Sequence, residues 1–416
     1  MVYNDLRYVL AVFSILSLIV STNETKLPST IFSKLNVARK FIRISGCIES
    51  LDCSYFQTDL DVIKMLPYTF DQSSRTRYYT NSAKEVTDLY ISGENNLPLY
   101  LYCLKNLQTL YIQSSDLIHL PMEIRNLQQL KTLQFYNNYN LVSIPDEIGE
   151  LKSMEQLTII GSPKLLTLPH QFEQLKNLQH IQFSSCGFEE IPKVITEMVG
   201  LQYLYLHYNK VTSIPYEIKR LTSLRALSLS GNPLKSLDEL KWLTQLATLD
   251  LDSCQLNEFP INIKYLTNLS QLYIGGNNLT VIPIEIAKLQ RLNTLELSSS
   301  KFTKLPRELT LLNSLTRLQL NNNHHLSDLT GIGSFQNLQE LYLSTNNLTM
   351  IPKEIIKLSS TLTYLVLYNN QLTDLPQELA QMNRLESLDI QNNKFSNTTL
   401  IKIKQMFNGT NVTVYY

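Results

Sequence analysis

A short leucine pattern recurs along most of this chain and constrains its fold more than any other feature. Blocks of the form LxxLxLxx(N)xL restart at intervals of 22 to 24 residues. The first residues of these blocks are Leu107, Leu130, Met154, Leu178, Leu201, Leu224, Leu246, Leu269, Leu292, Leu315, Leu338, Leu362 and Leu385. A fixed period in the low twenties is typical of a solenoid, in which each repeat contacts only its neighbours. A chain of 416 residues can therefore bury its apolar residues as a stack of similar units rather than in one globular core.

The repeat from Leu269 to Leu289 predicts the form of one unit. Leu272 and Ile274 alternate with residues that face away from the core, which favours a short half-buried strand. The chain then turns and returns toward the core at Ile282. Pro283 lacks an N–H donor and fixes φ, so the return limb is expected to begin as a turn or short helix. The predicted fold is an α/β solenoid, with a parallel concave sheet of thirteen strands and an irregular or short-helical convex side.

A column of asparagines follows the predicted strands. A buried Asn side chain offers two donors and one acceptor to backbone groups that a turn leaves unpaired, so this column predicts a structural ladder. Its members are Asn138, Asn209, Asn232, Asn277, Asn323, Asn346, Asn370 and Asn393. The same position in the other repeats holds a small residue: Ser115, Ser162, Cys186, Cys254 and Ser300.

The return limbs carry a second motif, in which proline is followed three residues later by isoleucine. It occurs at Leu120-Pro121 to Ile124, Ile144-Pro145 to Ile148, Ile191-Pro192 to Ile195, Ile214-Pro215 to Ile218, Ile282-Pro283 to Ile286 and Ile351-Pro352 to Ile355. In this the chain resembles the LPxxI class of leucine-rich repeat proteins, found in bacteria and in Ras-group repeat proteins of plants and animals. The resemblance implies a leucine-rich repeat horseshoe. At Leu237-Asp238 and Leu329-Thr330 the proline is absent, and a more helical convex limb is expected there.

The N-terminal end departs from the repeat. Residues 8–20 form an uninterrupted apolar run that is too short for a comfortable bilayer span and suits a signal peptide, with residues 1–21 removed after Ser21. An uncleaved anchor or a helix of a cytosolic protein are the alternatives. Residues 22–85 are expected to form an N-terminal cap with a degenerate repeat, in which residues 72–82 are a polar loop.

The repeat array is predicted over residues 86–394, and residues 395–416 are expected to cap its C-terminal end. Residues 395–407 depart from the repeat toward a helix, and residues 412–415 alternate like a closing edge strand. This ending resembles the C-terminal caps of bacterial proteins of the same class.

Five cysteines leave the redox state open. Cys186 and Cys254 lie in the ladder column and are expected to be buried thiols. A Cys47–Cys53 disulfide closing the N-terminal cap and unpaired, partly buried thiols are both compatible with the spacing.

Charge and motifs argue against several function classes. The 36 basic and 36 acidic residues balance, so no field favours nucleic acid. No phosphate-binding loop, dinucleotide motif or recognisable catalytic constellation occurs. His180 and His207 fall on exposed strand positions about 13 Å apart along the strand direction, which disfavours a shared metal. No cofactor and no enzymatic activity are therefore expected.

The positions that the repeat leaves free are the strand residues facing the concave side. Tyrosine is frequent among them and lysine is absent, as in many protein interfaces, although tyrosine is also a good strand residue. The candidate partner-binding residues are Tyr111, Tyr136, Tyr203, Tyr205, His207, Tyr273, Tyr342, Tyr364 and Tyr368. Tyr208, at a strand exit, is expected to point toward the rim.

These observations predict a non-catalytic recognition module that binds a protein partner, or another macromolecule, through its concave face. An exported or surface-associated monomer is expected, without a membrane span once the signal is cleaved. The family resemblance implies adhesion or host interaction for exported members. The alternative is a cytoplasmic signalling scaffold of the Ras-group repeat type.

Overall fold

A computed structural model describes residues 51–70, 76–94 and 97–416. The predicted signal peptide, Cys47 and the degenerate-repeat motifs before residue 50 lie outside these residues. Each repeat contributes one strand to a single sheet of sixteen strands, which lie in the order of the sequence. The strands are β1 Arg77–Thr80, β2 Val86–Ser92, β3 Thr109–Gln113, β4 Thr132–Tyr136, β5 Gln156–Ile160, β6 His180–Ser184, β7 Tyr203–Tyr205, β8 Ala226–Ser228, β9 Thr248–Asp250, β10 Gln271–Tyr273, β11 Thr294–Glu296, β12 Arg317–Gln319, β13 Glu340–Tyr342, β14 Tyr364–Val366, β15 Ser387–Asp389 and β16 Thr413–Tyr415.

The register follows the repeat. Strand β10 pairs in parallel with β9 and β11, so that Leu272 lies between Leu249 and Leu295. These three leucines are fully buried, as are Ile274 and Leu279. Because the same positions recur in each unit, the side chains form one continuous core between the sheet and the opposite side of the solenoid. The predicted fold class is confirmed.

The side opposite the sheet consists mainly of short 3-10 helices. These are Leu99–Cys103, Met122–Asn126, Asp146–Glu150, His170–Gln174, Tyr216–Arg220, Asp238–Trp242, Ile261–Tyr265, Ile284–Lys288, Arg307–Leu311, Ile332–Ser334, Lys353–Leu358 and Gln377–Gln381. The α-helices among the described residues are α1 Asp59–Met65, α2 Lys193–Thr196 and α3 Asn397–Met406.

The expectation of greater helicity where the proline is missing was wrong. Segments Asp238–Trp242 and Ile332–Ser334 are 3-10 turns like the others, whereas the short α-helix α2 follows Pro192. In the repeats that have the proline, it lies at the N-cap of the segment, before the first helical residue. The missing N–H of proline therefore does not break the pairing inside the segment, and a repeat without the proline does not gain a longer helix.

The sheet has more strands than the thirteen expected from the repeats. Strand β2 begins at Val86, where the repeat array was expected to begin, and β16 lies where a closing edge strand was expected. Strand β1 was missed, because residues 72–82 were interpreted as a polar loop. It pairs antiparallel with β2, and its Tyr78 ring packs 5.3 Å from Phe70 and its Tyr79 ring 5.9 Å from Tyr90.

Cys53 is disulfide-bonded to Cys103, 50 residues away. The Cys47–Cys53 pairing considered from the sequence is therefore wrong, because Cys53 already has this partner. The bond joins the segment before α1 to the first 3-10 turn of the array. The same junction is held by Tyr100, whose hydroxyl donates to the carbonyl oxygen of Met65 at 2.7 Å.

At the other end, the expected helix and strand are both present. Ser396 caps α3 by accepting a hydrogen bond from the Thr399 N–H. Ile403 of α3 and Phe407 after it are buried against the last repeat, and β16 pairs in parallel with β15. This arrangement covers apolar side chains that the final repeat would otherwise expose.

The asparagine column lies in the turn after each strand and connects successive repeats. The Asn277 Oδ1 atom accepts hydrogen bonds from the N–H groups of Cys254 and Leu256, both at 3.0 Å. Its Nδ2 group donates to the carbonyl oxygens of Leu251 and Ile274 at 2.9 and 2.8 Å. Each amide thus pairs backbone groups of two turns that have no strand partner.

The smaller residues in this column pair less completely. The Cys254 thiol reaches the carbonyl oxygen of Leu229 at 3.2 Å, and the Ser115 hydroxyl donates to Asn138 Oδ1 at 2.6 Å. The hydroxyls of Ser162 and Ser300 are buried without a hydrogen-bond partner among the described residues.

The residue before each column position has a positive φ in all thirteen repeats. These residues are Ser114, Asn137, Gly161, Ser185, Tyr208, Gly231, Ser253, Gly276, Ser299, Asn322, Thr345, Asn369 and Asn392. A left-handed residue reverses the chain and directs the following side chain inward. Sequence reasoning missed this second column because its residue types differ from repeat to repeat.

Candidate functional site on the concave face

The face of the sheet opposite the core is built from alternate strand residues, and the parallel register places equivalent residues side by side. Gln182 on β6 pairs with Tyr205 on β7, which pairs with Ser228 on β8. Since neighbouring strands are about 4.8 Å apart, side chains in one row contact one another directly. The composition of each row therefore decides what this face can bind.

Four tyrosines form a row at the N-terminal end of the face, which we term the N-terminal tyrosine row: Tyr79, Tyr90, Tyr111 and Tyr136. The ring centroids of Tyr90 and Tyr111 are 5.6 Å apart, and those of Tyr111 and Tyr136 are 5.0 Å apart and stacked. The Arg77 guanidinium lies 5.0 Å from the Tyr90 ring. Tyr111 and Tyr136 were candidates from the sequence, whereas Tyr79 and Tyr90 were missed because they precede the regular repeats.

A second group of rings, the central ring cluster, consists of His180, Tyr203, Tyr205 and His207. The His180 ring lies 5.6 Å from that of Tyr203 and 5.3 Å from that of Tyr205. Tyr205 and His207 are nearly parallel at 5.6 Å. The structure thus brings three of the candidate residues together and adds His180. Burial lowers the pKa of both histidines, which favours their neutral form near pH 7.

Tyr208 lies in the turn that follows β7 and is 64% exposed. Its backbone is left-handed, with φ of 53°. The ring packs over Gly231, where a Cβ atom would meet it at 2.4 Å. Tyr208 therefore lies at the margin of the central ring cluster.

His207 also begins a hydrogen-bonded chain that resembles a hydrolytic triad in composition alone. The Ser228 hydroxyl lies 2.6 Å from His207 Nδ1 and donates to Asp250 Oδ2 at 2.6 Å. Serine is thus the middle member of this chain. In a hydrolytic triad the middle member is the histidine, which activates the serine and is oriented by the carboxylate. Ser228 is also buried. This chain is not arranged for nucleophilic attack.

Three carboxylates follow on either side of β10: Asp250 in β9, Asp252 two residues after it, and Glu296 in β11. We term them the carboxylate group. Tyr273 on β10 pairs in register with Asp250 on one side and with Glu296 on the other. Asp252 accepts a hydrogen bond from the Gly275 N–H at 2.7 Å, and Glu296 Oε1 accepts one from the Ser298 N–H at 2.8 Å. The other oxygen of Glu296 is buried without a hydrogen-bond partner among the described residues.

The environment of Asp252 and Glu296 disfavours their charge. Burial, followed by the nearby charge of Asp250, raises the pKa of Asp252 to about 7. Burial also raises the pKa of Glu296. Gly275 leaves room beside them, since a Cβ atom there would lie 2.8 Å from the Ser298 carbonyl oxygen and 3.1 Å from Glu296 Oε1.

The C-terminal part of the face holds a paired cation. Arg317 Nε donates to Glu340 Oε2 at 2.6 Å, and Arg317 Nη2 donates to the Tyr342 hydroxyl at 3.1 Å. The guanidinium lies 5.4 Å from the centroid of the Tyr342 ring. Tyr364 and Tyr368, on the next repeat, are 42% and 36% exposed. The nine candidate residues thus lie in separate places along the face rather than in one patch.

Metal ligands are not assembled on this face. Within residues 51–70, 76–94 and 97–416, no group of three or more His, Cys, Asp or Glu side chains is placed to hold a metal ion. No helix in the same residues is long and apolar enough to cross a bilayer.

Comparison with known families supports the repeat assignment. The model described as "Leucine-rich repeat region" matches residues 247–360, and that described as "Leucine rich repeat" matches residues 336–395. A third, "Leucine Rich repeats (2 copies)", matches residues 199–242. These matches do not distinguish the LPxxI class, which stays a prediction.

Among curated proteins, chaoptin from Tribolium castaneum is 38% identical over 79 residues, which is 17% of this chain and only 10% of chaoptin. Among solved structures, the LRR ectodomain of a plant membrane receptor kinase from Arabidopsis thaliana, in complex with Casparian strip integrity factor 2, is 26% identical with a TM-score of 0.55. That match covers 77% of this chain and 40% of the receptor chain.

An LRR protein of Leptospira interrogans is similar over most of both molecules. It is 31% identical with a TM-score of 0.69, and the match covers 79% of this chain and 90% of the Leptospira chain. Together with the sixteen-stranded sheet and its repeated core, this similarity shows that the chain belongs to the leucine-rich repeat family.

Proposed function

We propose that this protein is an exported, non-catalytic recognition module that binds a protein partner on the concave face of its sheet. The observation that carries the proposal is the central ring cluster. Tyr203 is 36% exposed, and its ring contacts that of His180. The rings of Tyr205 and His207 also contact each other. Rigidly mounted aromatic side chains near the centre of a surface are where binding energy concentrates in protein interfaces.

Rigid mounting lowers the cost of binding. The backbone of Tyr203 and Tyr205 is fixed by pairing with β6 and β8, and their rings already contact one another through His180. Little side-chain entropy is therefore lost when a partner packs on these rings. The hydroxyl of tyrosine also lets one side chain supply both apolar contact and a hydrogen bond.

Export is supported by the Cys53–Cys103 disulfide, since such bonds persist in oxidising compartments and are rare in the cytosol. This favours the exported protein over the cytoplasmic scaffold. The similar LRR ectodomain of a plant membrane receptor kinase is in complex with Casparian strip integrity factor 2. Mass spectrometry of the mature chain tests export: a first residue near Thr22 is expected, and an intact Met1 would contradict it.

Cross-linking tests the binding face. Gln182 pairs in register with Tyr205, so a photo-reactive amino acid in place of Gln182 reports on contacts of the central ring cluster. The matched control replaces Tyr265, an exposed aromatic residue at the end of a 3-10 turn on the opposite side. On the surface of source cells, we expect a discrete protein adduct from position 182 and none from position 265. No adduct from position 182 would refute the proposal.

A double variant tests the energy of the contact. Tyr203→Ala with Tyr205→Ala removes two rings from the central ring cluster and leaves the buried core leucine between them in place. We expect the affinity for the cross-linked partner to fall by about 2 kcal/mol or more, the scale of an interface hot spot. Tyr265→Ala should leave it unchanged. Equal affinities for both variants would place the binding site elsewhere.

A further inference from the structure

The charge of the concave face differs from that of the whole chain. The chain has 36 basic and 36 acidic residues. The core-opposite positions of β2 to β16, together with the next such position beyond each short strand, instead carry six acidic side chains and one basic side chain, Arg317. The acidic residues are Asp88, Asp250, Asp252, Glu296, Glu340 and Asp389. Arg77 on β1 adds one base at the far N-terminal end. The sheet face is therefore acidic in an otherwise neutral protein.

In the described part of the chain, no Lys or Arg side chain pairs with the carboxylate group. The ion pair of Asp250 is with His207 at 3.7 Å, and burial holds that histidine in its neutral form. Among the described residues, no Lys or Arg forms an ion pair with Asp252 or Glu296. One oxygen of Glu296 is buried and accepts no hydrogen bond among these residues. Burying a charge is costly unless it is paired and hydrogen-bonded.

Elsewhere on the same face, a cation of the chain itself, Arg317, is bound by neighbouring side chains. Arg317 is bound by the Glu340 carboxylate, by the Tyr342 hydroxyl and by the face of the Tyr342 ring. The carboxylate group offers the same chemistry, because Tyr273 lies in register between Asp250 and Glu296. Here no Lys or Arg among the described residues supplies the charge. Gly275 keeps the approach to Glu296 and Asp252 free of a side chain.

Resting on the proposed function, we propose that the partner inserts a cationic side chain, arginine or lysine, between Asp252 and Glu296 and against Tyr273. The occupant is a basic segment of a protein. Its charge complements an acidic sheet face, and a guanidinium can donate to both carboxylates while it stacks on the tyrosine ring. The central ring cluster, which ends at His207 beside Asp250, then forms a continuous surface with this site.

A defined peptide tests the inference without knowledge of the partner. The probe is acetylated hexa-arginine amide, and its control is hexa-citrulline, which has nearly the same shape and no charge. Both are titrated into the full-length protein by calorimetry at about pH 8 and low ionic strength, where surface electrostatics are least screened. We expect hexa-arginine to bind at least about tenfold more tightly than hexa-citrulline.

Matched variants locate the binding. Asp252→Asn with Glu296→Gln removes two charges and keeps the acceptor atoms for the Gly275 and Ser298 N–H groups. The control, Glu217→Gln with Glu285→Gln, removes two charges from the 3-10 turns on the opposite side. We expect the first variant to weaken hexa-arginine binding by about tenfold or more and the control by less than about twofold.

Two results would overturn the inference: hexa-arginine binding no better than hexa-citrulline, or equal losses in the two double variants. Neither affects the cross-linking test at Gln182. If an adduct forms at Gln182 while the hexa-arginine comparison fails, the concave face binds a partner without this cationic contact. If the adduct is also absent, the proposed function fails as well.

Discussion

Replacing Asn277 by leucine tests the hydrogen-bonded column that joins successive repeats. Leucine has a similar size but neither donor nor acceptor, so the change removes polar contacts without opening a large cavity. Asn277 is buried, and its Oδ1 atom accepts from the N–H groups of Cys254 and Leu256. Its Nδ2 group donates to the carbonyl oxygens of Leu251, Ile274 and Gly275.

The magnitude follows from the groups left unpaired. Each of the two buried N–H donors loses its acceptor, at about 1–3 kcal/mol each. The Gly275 carbonyl oxygen still accepts from the Ser253 N–H, so that contact costs little. Burial of the leucine side chain returns about 1.5–3 kcal/mol. From the middle of these ranges, about 4 kcal/mol lost and about 2 kcal/mol regained, we expect the free energy of unfolding to fall by about 1–3 kcal/mol.

Equilibrium urea unfolding followed by circular dichroism measures this change. The control is Asn278→Ala, one residue later, where the side chain is exposed and contacts Asn257 at 3.2 Å. That variant should differ from the wild type by less than about 0.5 kcal/mol. If Asn277→Leu unfolds at the same urea concentration as Asn278→Ala, the column does not stabilise the solenoid and the reasoning above is wrong.

Four further predictions concern single features of the fold and the face. Ser300→Asn should raise the free energy of unfolding by about 1 kcal/mol, because the buried Ser300 hydroxyl has no partner among the described residues and an amide in this column bonds neighbouring turns. Urea unfolding measures this change, and a lower free energy of unfolding would show that the site is too small for asparagine. Thr345→Asn should raise the free energy of unfolding by at most about 1 kcal/mol in the same assay, because a β-branched residue at φ of 56° is strained and Asn tolerates this conformation. An unchanged free energy of unfolding would mean that the turn is not strained. Asp252→Asn should raise the melting temperature at pH 8 and not at about pH 4. The aspartate ionises near pH 4 in the unfolded chain and at about pH 7 in the folded chain, so the stability of the wild type falls as the pH rises between these values. A change in melting temperature that does not depend on pH would contradict this origin. Removal of residues 395–416 should cause aggregation, detected by light scattering, because it uncovers apolar side chains that Ile403 and Phe407 contact; a soluble monomer would show that this end is not a cap.

The repeat could be predicted from the sequence because its period leaves little choice. Positions such as Leu272 and Ile274 must be buried in every unit, and a wrong period would place them in solvent. The parallel sheet follows, since equivalent strands stack in the order of the chain. The column containing Asn277 could be located for the same reason, although its individual partners could not.

Features outside the period were not predictable in this way. Strand β1 is antiparallel and belongs to no repeat, so its Tyr79 was not recognised as part of the N-terminal tyrosine row. The Cys53–Cys103 disulfide depends on where the first 3-10 turn lies relative to the segment before α1. Sequence spacing carries no such information, and it was compatible both with a bond from Cys53 to the nearer Cys47 and with unpaired thiols.

The candidate face was only partly predictable. Alternation correctly separated outward residues such as Tyr205 from buried ones such as Leu204. It did not show that His180 contacts the rings of the next strand or that Ser228 links His207 to Asp250. The carboxylate group had a signal, since free positions of nearby repeats carry acids. Its meaning depended on the finding that no Lys or Arg among the described residues pairs with it, which only three-dimensional contacts reveal.

The carboxylates also show which part of this face the fold itself does not require. Asp252 occupies a position that holds Ser230 and Ser298 in other repeats, so the turn forms equally well without a charge. Desolvation raises its pKa to about 7, which means that its ionised form lowers the stability of the folded chain. Proteins tolerate such costs mainly where function needs the group. Because a neutral residue would be more stable here and no Lys or Arg among the described residues pairs with Asp252, the charge supports the cationic contact with a partner that we propose.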